Sequence, residues 1–418
     1  VTRRTIMLYY KRKNPMLIRE MIRNVYKECK GVPKGSCLTK EQRLSLQMDE
    51  FMNRRYEFRY NTQIGEVEYR ERFSFQFYFH PIDKRAQNSI MLDAQSEGIG
   101  VWDRDIDRYL HSNRVPIYNP LEEFLFHLPH WDGKDRIHAL ANRVPCKNPH
   151  WELLFHRWFL NMVSHWRGVD KMHANNTSPI LVGRQGTHKS TFCREMIPPA
   201  LRAYYTDSID FSHKRDAELY LNRFALINID EFDQITLPQQ GFLKHILQKP
   251  VVNLRKPHGR SVLELQRYAS FIGTSNQKDL LTDPSGSRRF ICIEVTGNID
   301  TTQPIDYEQL YAQAMHEIHH GERYWFDSED EQIMTENNRE FEQTPAMLQL
   351  FYQYFKTAQT KEEGEFLTPV EILNYLKKKS GMSLSDNKVY HFGRLLQKCG
   401  IPSKHTYKGT VYQVIKLS

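Results

Sequence analysis

Cysteine is scarce and scattered in this chain. Six occur in 418 residues (Cys29, Cys37, Cys146, Cys193, Cys292 and Cys399), with no C-x-x-C pair and no ligand-like Cys/His spacing. That pattern argues against a disulfide framework or a zinc site and fits thiols kept reduced in a cytosol. Long apolar runs are missing too. No segment approaches the roughly 18 residues that suggest a membrane-spanning helix. The basic residues at the N-terminus are not followed by the apolar stretch of a secretory signal. The expected location is therefore the cytoplasm, with no membrane partner. There is no internal repeat and no low-complexity tract.

What is present suits a folded protein of two or three domains. Hydrophobic residues make up 40% and charged residues 26%, enough for a sizeable core and unlike a disordered chain. The net charge of +8 leans toward a polyanionic partner, although a merely soluble basic protein has the same balance. The positive charge gathers at the ends. Residues 1–30 hold nine Lys/Arg against two Glu, and residues 361–418 hold ten against five Asp/Glu.

Residues 15–30 read as a basic amphipathic helix, with Leu17, Ile18, Met21, Ile22 and Val25 at helical spacing. Its basic face either touches nucleic acid or is simply solvated. In residues 64–79, alternation puts Phe73, Phe75, Phe77 and Phe79 on one face of a strand. Such a row is expected in a core rather than as a platform for stacking bases. Residues 88–142 look helical and connective, punctuated by Pro116, Pro120 and Pro129. Trp131-Asp132-Gly133-Lys134-Asp135-Arg136 reads as a turn into a helix starting near Ile137, and 150–166 as an amphipathic helix. A boundary near Pro145 to Pro149 divides the chain into 1–147, 148–325 and 326–418.

From Ser178 to about Thr296 apolar runs alternate with helical patterns, the layout of an α/β sheet. The expected strands are 180–183, 203–206, 224–230, 269–274 and 290–295. The expected helices lie near 189–196, 214–221 and 237–248, with an extra hairpin over 251–266. In the tail, Thr368-Pro369 is an N-cap followed by proline at the first helical position. Helices over 369–379 and 387–398, then strands near 403–407 and 410–416, suggest a winged helix-turn-helix.

Chemistry concentrates in the middle. Ile180-Leu181-Val182 breaks into Gly183-Arg184-Gln185-Gly186-Thr187-His188-Lys189-Ser190-Thr191, the layout of a phosphate-binding loop between a buried strand and a helix. Backbone N–H groups would cradle phosphates, Lys189 would reach the β- and γ-phosphates, and Ser190 would ligate Mg²⁺. The pattern asks for glycine where His188 stands. Histidine takes up unusual backbone angles more readily than most non-glycine residues, so the loop can still form. A plain strand-to-helix turn with an exposed lysine is the simpler alternative.

Phe224 to Ile229 is an apolar strand ending in Asp230-Glu231. Asp230 suits a Mg²⁺ ligand and Glu231 a base that polarises water; a helix N-cap is the alternative for Asp230. Phe271 to Ser275 ends in Asn276, whose amide can bond a γ-phosphate or position water. Gly286-Ser287-Arg288-Arg289-Phe290 offers tandem guanidiniums suited to a transition-state finger, or to surface ion pairs. Arg255, Lys256, His258 and Arg260 at the hairpin tip can grip a phosphate backbone or remain solvated.

With these elements in this order, residues from about Asn119 to Thr296 resemble the virulence-associated E family, close to the superfamily 3 helicases of the AAA+ class found in phages and mobile elements. The resemblance implies an α/β AAA+ P-loop ATPase core, flanked by a mixed helical/β N-terminal region and a small winged-helix-like α+β domain. It implies ATP and Mg²⁺ as cofactors, single-stranded or forked DNA as partner, and a ring, commonly a homo-hexamer. By the same resemblance Lys189 and Ser190 bind nucleotide and Mg²⁺, Asp230 and Glu231 serve Mg²⁺ and water, Asn276 is the sensor, and Arg288 or Arg289 is the finger. The hairpin, through Lys256 and His258, would track DNA. No primase-type acidic cluster or zinc ribbon appears, so a primase would be a separate protein. The expected function is an ATP-dependent DNA helicase or translocase for replication. The alternatives are a nucleotide-switched DNA-binding initiator and a small-molecule kinase, the latter without a visible acceptor pattern.

Overall fold

A computed structural model describes residues 39–75, 77–168, 173–254, 263–281, 288–343, 346–358, 364–381, 389–407 and 409–417. The expected basic helix over 15–30 and the hairpin tip with Arg255, Lys256, His258 and Arg260 lie outside these residues. The chain divides into two units, Val1–Asn119 and Pro120–Ser418.

In the first unit, α1 (Lys40–Arg55) starts at a capping box in which Thr39 and Gln42 satisfy each other's backbone N–H groups. It runs directly into β1 (Tyr56–Asn61), which forms an antiparallel pair with β2 (Glu66–Glu71). β3 (His80–Pro81), α2 (Lys84–Ser96), α3 (Asp103–Leu110) and β4 (Ile117–Tyr118) follow, and β4 returns parallel to β1. The sheet order is β3-β2-β1-β4. Its core gathers Phe51, Met52, Tyr56, Phe58, Val67, Ile90 and Tyr109.

Here one expectation fails. β2 stops at Glu71, and residues 73–79 do not continue it. Phe73, Phe75 and Phe77 are 87%, 95% and 73% exposed. The core is filled by rings from β1 and the helices, so the row of phenylalanines has no place in it.

The second unit opens with α4 (Pro120–Phe126), α5 (Arg136–Ala141) and α6 (Trp151–Trp166). The turn expected before α5 is an anchor. Arg136 grips both oxygens of Asp132 at 2.6 and 2.8 Å, and Trp131 Nε1 donates to Lys134 O. α6 is amphipathic as expected over Trp151 to Arg157, where Glu152, Leu153, His156 and Arg157 reach the surface, but every residue from Trp158 to Trp166 is buried because that half is enclosed.

The main sheet comprises β5 (Ser178–Val182), β6 (Tyr205–Thr206), β7 (Leu226–Ile229), β10 (Ser270–Ser275) and β11 (Phe290–Glu294). Between these strands lie α7 (Lys189–Glu195), α8 (Lys214–Arg223), α9 (Leu237–Leu247) and the antiparallel hairpin of β8 (Val251–Leu254) and β9 (Leu263–Gln266). All five strands are parallel, in the order β11-β5-β10-β7-β6. β6 is shorter than expected because a 3₁₀ turn takes Pro199–Tyr204. Alternate strand residues, Ile180, Val182, Ile227, Ile229, Phe271, Phe290 and Cys292, pack in one cluster with Leu221, Leu243 and Ile246 of α8 and α9. On α6, Phe155 meets Phe192 of α7, and Trp166 stacks on Tyr311. Tyr311 lies on α10 (Tyr307–His319). Both faces are thus covered, which explains the near-continuous apolar strands.

Beyond α10 come α11 (Ser328–Asn338), α12 (Ala346–Tyr354), β12 (Phe355–Thr357), β13 (Glu365–Leu367), α13 (Pro369–Ser380), α14 (Val389–Lys398), β14 (Ser403–Thr406) and β15 (Gly409–Lys416). α12 runs directly into the strand β12. β15 pairs with β12, β13 and β14. Thr368 and Glu371 form a capping box at α13, bearing out the expected helix start.

Candidate functional site

β10 lies between β5 and β7, so the three motif-bearing strands are immediate neighbours. Their registers align Ser275 with Val182 and Gly273 with both Ile180 and Ile229. The loop after β5, the acidic pair after β7 and Asn276 after β10 therefore emerge side by side at the carboxyl ends of parallel strands. Open α/β sheets bind ligands at such an edge.

The loop runs from Gly183 to His188, and α7 starts at Lys189. A Cβ on Gly183 would lie 3.0 Å from Val295 O, and Gly186 sits at φ +83°; glycine suits both positions. His188 is the helix N-cap at φ 66°, ψ 21°, the left-handed region. It thus occupies the backbone conformation that glycine takes up at no cost. Arg184, Gln185, His188 and Thr191 are exposed. Thr187 Oγ1 donates to Arg184 O at 2.9 Å.

The Lys189 side chain folds back under the loop. Its Nζ donates to Gly183 O and Arg184 O, both at 2.8 Å, and approaches Thr187 Oγ1 at 3.4 Å and Asn276 Oδ1 at 3.3 Å. Burial lowers its pKa, and the nearby carboxylates of Asp230 and Asp233 oppose that shift. Ser190 Oγ donates to Asp230 Oδ1 at 3.0 Å, and Thr274 Oγ1 donates to the same oxygen. A hydroxyl and a carboxylate so placed match the donor set that holds Mg²⁺ when phosphates and waters complete the shell. Among the described residues no group of three or more His, Cys, Asp or Glu could hold a metal.

Glu231 is exposed and sits at φ 53°. Among the described residues, His188 and Glu231 are the two non-glycine residues at positive φ, and both fall in this cluster. Such backbone strain persists where the surroundings over-determine it, typically at functional sites. Sequence reasoning missed Asp233. Its Oδ1 accepts from Ser275 Oγ at 2.8 Å and from the Asn276 backbone N–H at 3.3 Å, tying the turn after β10 to the acidic loop. The available signal was a third carboxylate just beyond Asp230-Glu231.

The structure does not bring Arg288 and Arg289 to this cluster. They precede β11, and Phe290 pairs with Ser178 at the start of β5. The arginines therefore lie at the opposite edge of the sheet, about 16 Å of strand from Gly183. Arg288 is exposed and pairs with Glu331 at 2.9 Å, while Arg289 is partly buried.

Sequence reasoning also missed Arg267, fully buried between β9 and β10. Its Nε donates to Ala269 O, one terminal nitrogen to the carbonyls of Ile246, Leu247 and Lys249, and the other to Asn175 O. It closes the last turn of α9 and fastens the hairpin's base to the sheet. Burial pushes its pKa down to about 9.

These features define an α/β protein with an all-parallel five-stranded sheet and a polar cluster at the strands' carboxyl ends. Residues 125–343 match the model of the virulence-associated protein E-like domain, and the chain belongs to that family. Residues 344–414 match a domain of unknown function, DUF3874. No curated protein matches the chain. Among solved structures, the apo C-terminal region (305–718) of NrS-1 aligns with a TM-score of 0.44 at 11% identity, covering 89% of this chain and 98% of that one. Two A-form apo structures of the same region give 0.43 and 0.42, each at 11% identity and 89% of this chain, covering 98% and 99% of theirs. No helix among the described residues is long and apolar enough to cross a membrane.

Proposed function

We propose that the chain is an ATP-driven DNA helicase or translocase of the AAA+ class, related to superfamily 3 helicases, that works as a ring in replication of a phage or mobile element. The observation that carries this reading is the convergence of Lys189, Ser190, Asp230, Glu231 and Asn276 at the ends of β5, β7 and β10. The Gly183–His188 backbone and the α7 N-terminus bind the β- and γ-phosphates. On binding, Lys189 exchanges its loop carbonyls for phosphate oxygens. Ser190 and Asp230 would hold Mg²⁺, which when bound would offset the negative charge on the phosphates. Asn276, positioned by Asp233, aligns the attacking water. Glu231 takes the water's proton as oxygen attacks the γ-phosphorus and the bond to ADP breaks. Arg288 and Arg289, too far to serve their own loop, act on the loop of a neighbouring subunit, which makes an oligomer the active unit. The hairpin of β8 and β9, with Arg255, Lys256, His258 and Arg260 between its strands, grips DNA.

The test is steady-state hydrolysis with and without single-stranded or forked DNA. Wild type is expected to turn over ATP faster with DNA, and Glu231→Gln to bind ATP with turnover reduced at least a hundredfold. No hydrolysis by wild type under any DNA condition would sink the enzymatic reading.

A second reading, a nucleotide-switched DNA-binding initiator without processive unwinding, is favoured by the tail. The order α12, β12, β13, α13, α14, β14, β15, with β12, β13 and β14 all pairing with β15, is compatible with a winged helix carrying an added strand. Salt-sensitive DNA binding without turnover would select it.

A further inference from the structure

Residues 73–78 present four aromatic rings to solvent. Phe73, Phe75, Phe77 and Tyr78 are 87%, 95%, 73% and 79% exposed. No other six-residue stretch among the described residues does this. Soluble proteins rarely leave such a patch without a partner.

The base of the segment is built of paired charges, Arg59 with Glu68 and both Arg70 and Arg72 with Glu57. The Arg59 guanidinium lies 4.0 Å from the Phe79 ring centroid and 3.7 Å from that of Tyr118, and Arg70 lies 4.7 Å from Phe79. Arg70 also donates to Phe77 O at 3.0 Å, fixing the end of the exposed run. Arg72 on one side and His80, Lys84 and Arg85 on the other are exposed.

The composition points to one kind of occupant. From 73 to 79 the chain reads Phe-Ser-Phe-Gln-Phe-Tyr-Phe, with no aliphatic side chain. A run of rings without aliphatic neighbours suits flat π-ligands, whose faces stack on them. The exposed Lys84 and Arg85 beside the rings suit the phosphates between successive bases.

We propose that the rings of Phe73, Phe75, Phe77 and Tyr78 form a stacking platform for the bases of single-stranded nucleic acid. The inference rests on the nucleic-acid partner proposed above but not on hydrolysis.

The experiment uses the full chain without nucleotide and measures binding of a labelled oligo-dT strand and of an abasic strand of equal length. Wild type is expected to prefer oligo-dT. Combined Phe73→Ala, Phe75→Ala and Phe77→Ala is expected to weaken oligo-dT binding at least tenfold and to abolish the preference, with the thermal melt and native mass unchanged. Phe75→Trp alone is expected to retain affinity, with its fluorescence quenched by oligo-dT and not by the abasic strand; this holds the test if the triple variant misfolds. Unchanged oligo-dT affinity in the triple variant, or equal losses on both strands, would overturn the proposal. So would a changed native mass with unchanged affinity, which would make the segment a subunit contact. Ring-dependent binding by a protein that never hydrolyses ATP would sink the motor and leave the platform, and the converse result would do the reverse.

Discussion

His188 stands in the left-handed region at the start of α7. Holding a non-glycine residue there costs on the order of 1 kcal/mol. His188→Gly is therefore expected to raise the melting temperature slightly, by up to about 1 kcal/mol of stability, while leaving nucleotide affinity within a few-fold. A lower melting temperature would show that the imidazole makes a stabilising contact. Lys189 yields a pH prediction. Burial holds its pKa below the ordinary lysine value of 10.5, whereas phosphates favour its charged form. Nucleotide affinity is expected to fall as pH rises through that lowered value and so to decline at lower pH than an ordinary lysine would give. Titration calorimetry across alkaline pH checks this, and affinity that stayed flat up to pH 10.5 would contradict it. Asp233→Asn keeps the size but weakens acceptance from Ser275 and Asn276. It is expected to lower turnover about tenfold or more with little change in ATP affinity; an equal loss in binding would assign Asp233 to the phosphate pocket instead.

At the scale of elements, the hairpin of β8 and β9 depends on one residue. Arg267→Leu would strip donors from five carbonyls, the buried ones of Ala269, Ile246, Leu247 and Asn175 and the half-buried one of Lys249. A loss of about 3–5 kcal/mol is expected, read as a drop in denaturant midpoint; a change under about 1 kcal/mol would show that water replaces the guanidinium. Much of this architecture was legible in the sequence. Strands buried on both faces read as apolar runs, and punctuation by Gly183, Asp230 and Asn276 marked their ends. Helices α7, α8, α9 and α13 fell within a few residues of expectation because caps and periodicity are local signals. What was illegible depends on distant contacts. Alternation alone could not show that Phe73, Phe75 and Phe77 lie beyond the end of β2, and nothing local marks the second half of α6 as enclosed. Arg267 reads as a surface cation until its carbonyl partners, up to 92 residues away, are brought together. Likewise Trp131 to Arg136 proved to be an anchor on α10, where Gln313 Oε1 accepts from the backbone of Arg136 and Ile137.

At the scale of the whole molecule, the sheet separates two halves of the proposed chemistry. The phosphate-type loop lies at the carboxyl ends of the strands, and Arg288 and Arg289 lie at the amino end of β11. One chain therefore holds both parts but cannot join them, and a head-to-tail ring would. The most direct measurement is ATP turnover by Lys189→Ala, by the double variant Arg288→Ala and Arg289→Ala, and by an equal mixture of the two, with single-stranded DNA present. Each variant alone is expected to be inactive. The mixture is expected to regain about a quarter of wild-type turnover, the share of interfaces that random exchange leaves intact. A mixture as inactive as its components, or an arginine variant with full turnover alone, would contradict a site built from two subunits.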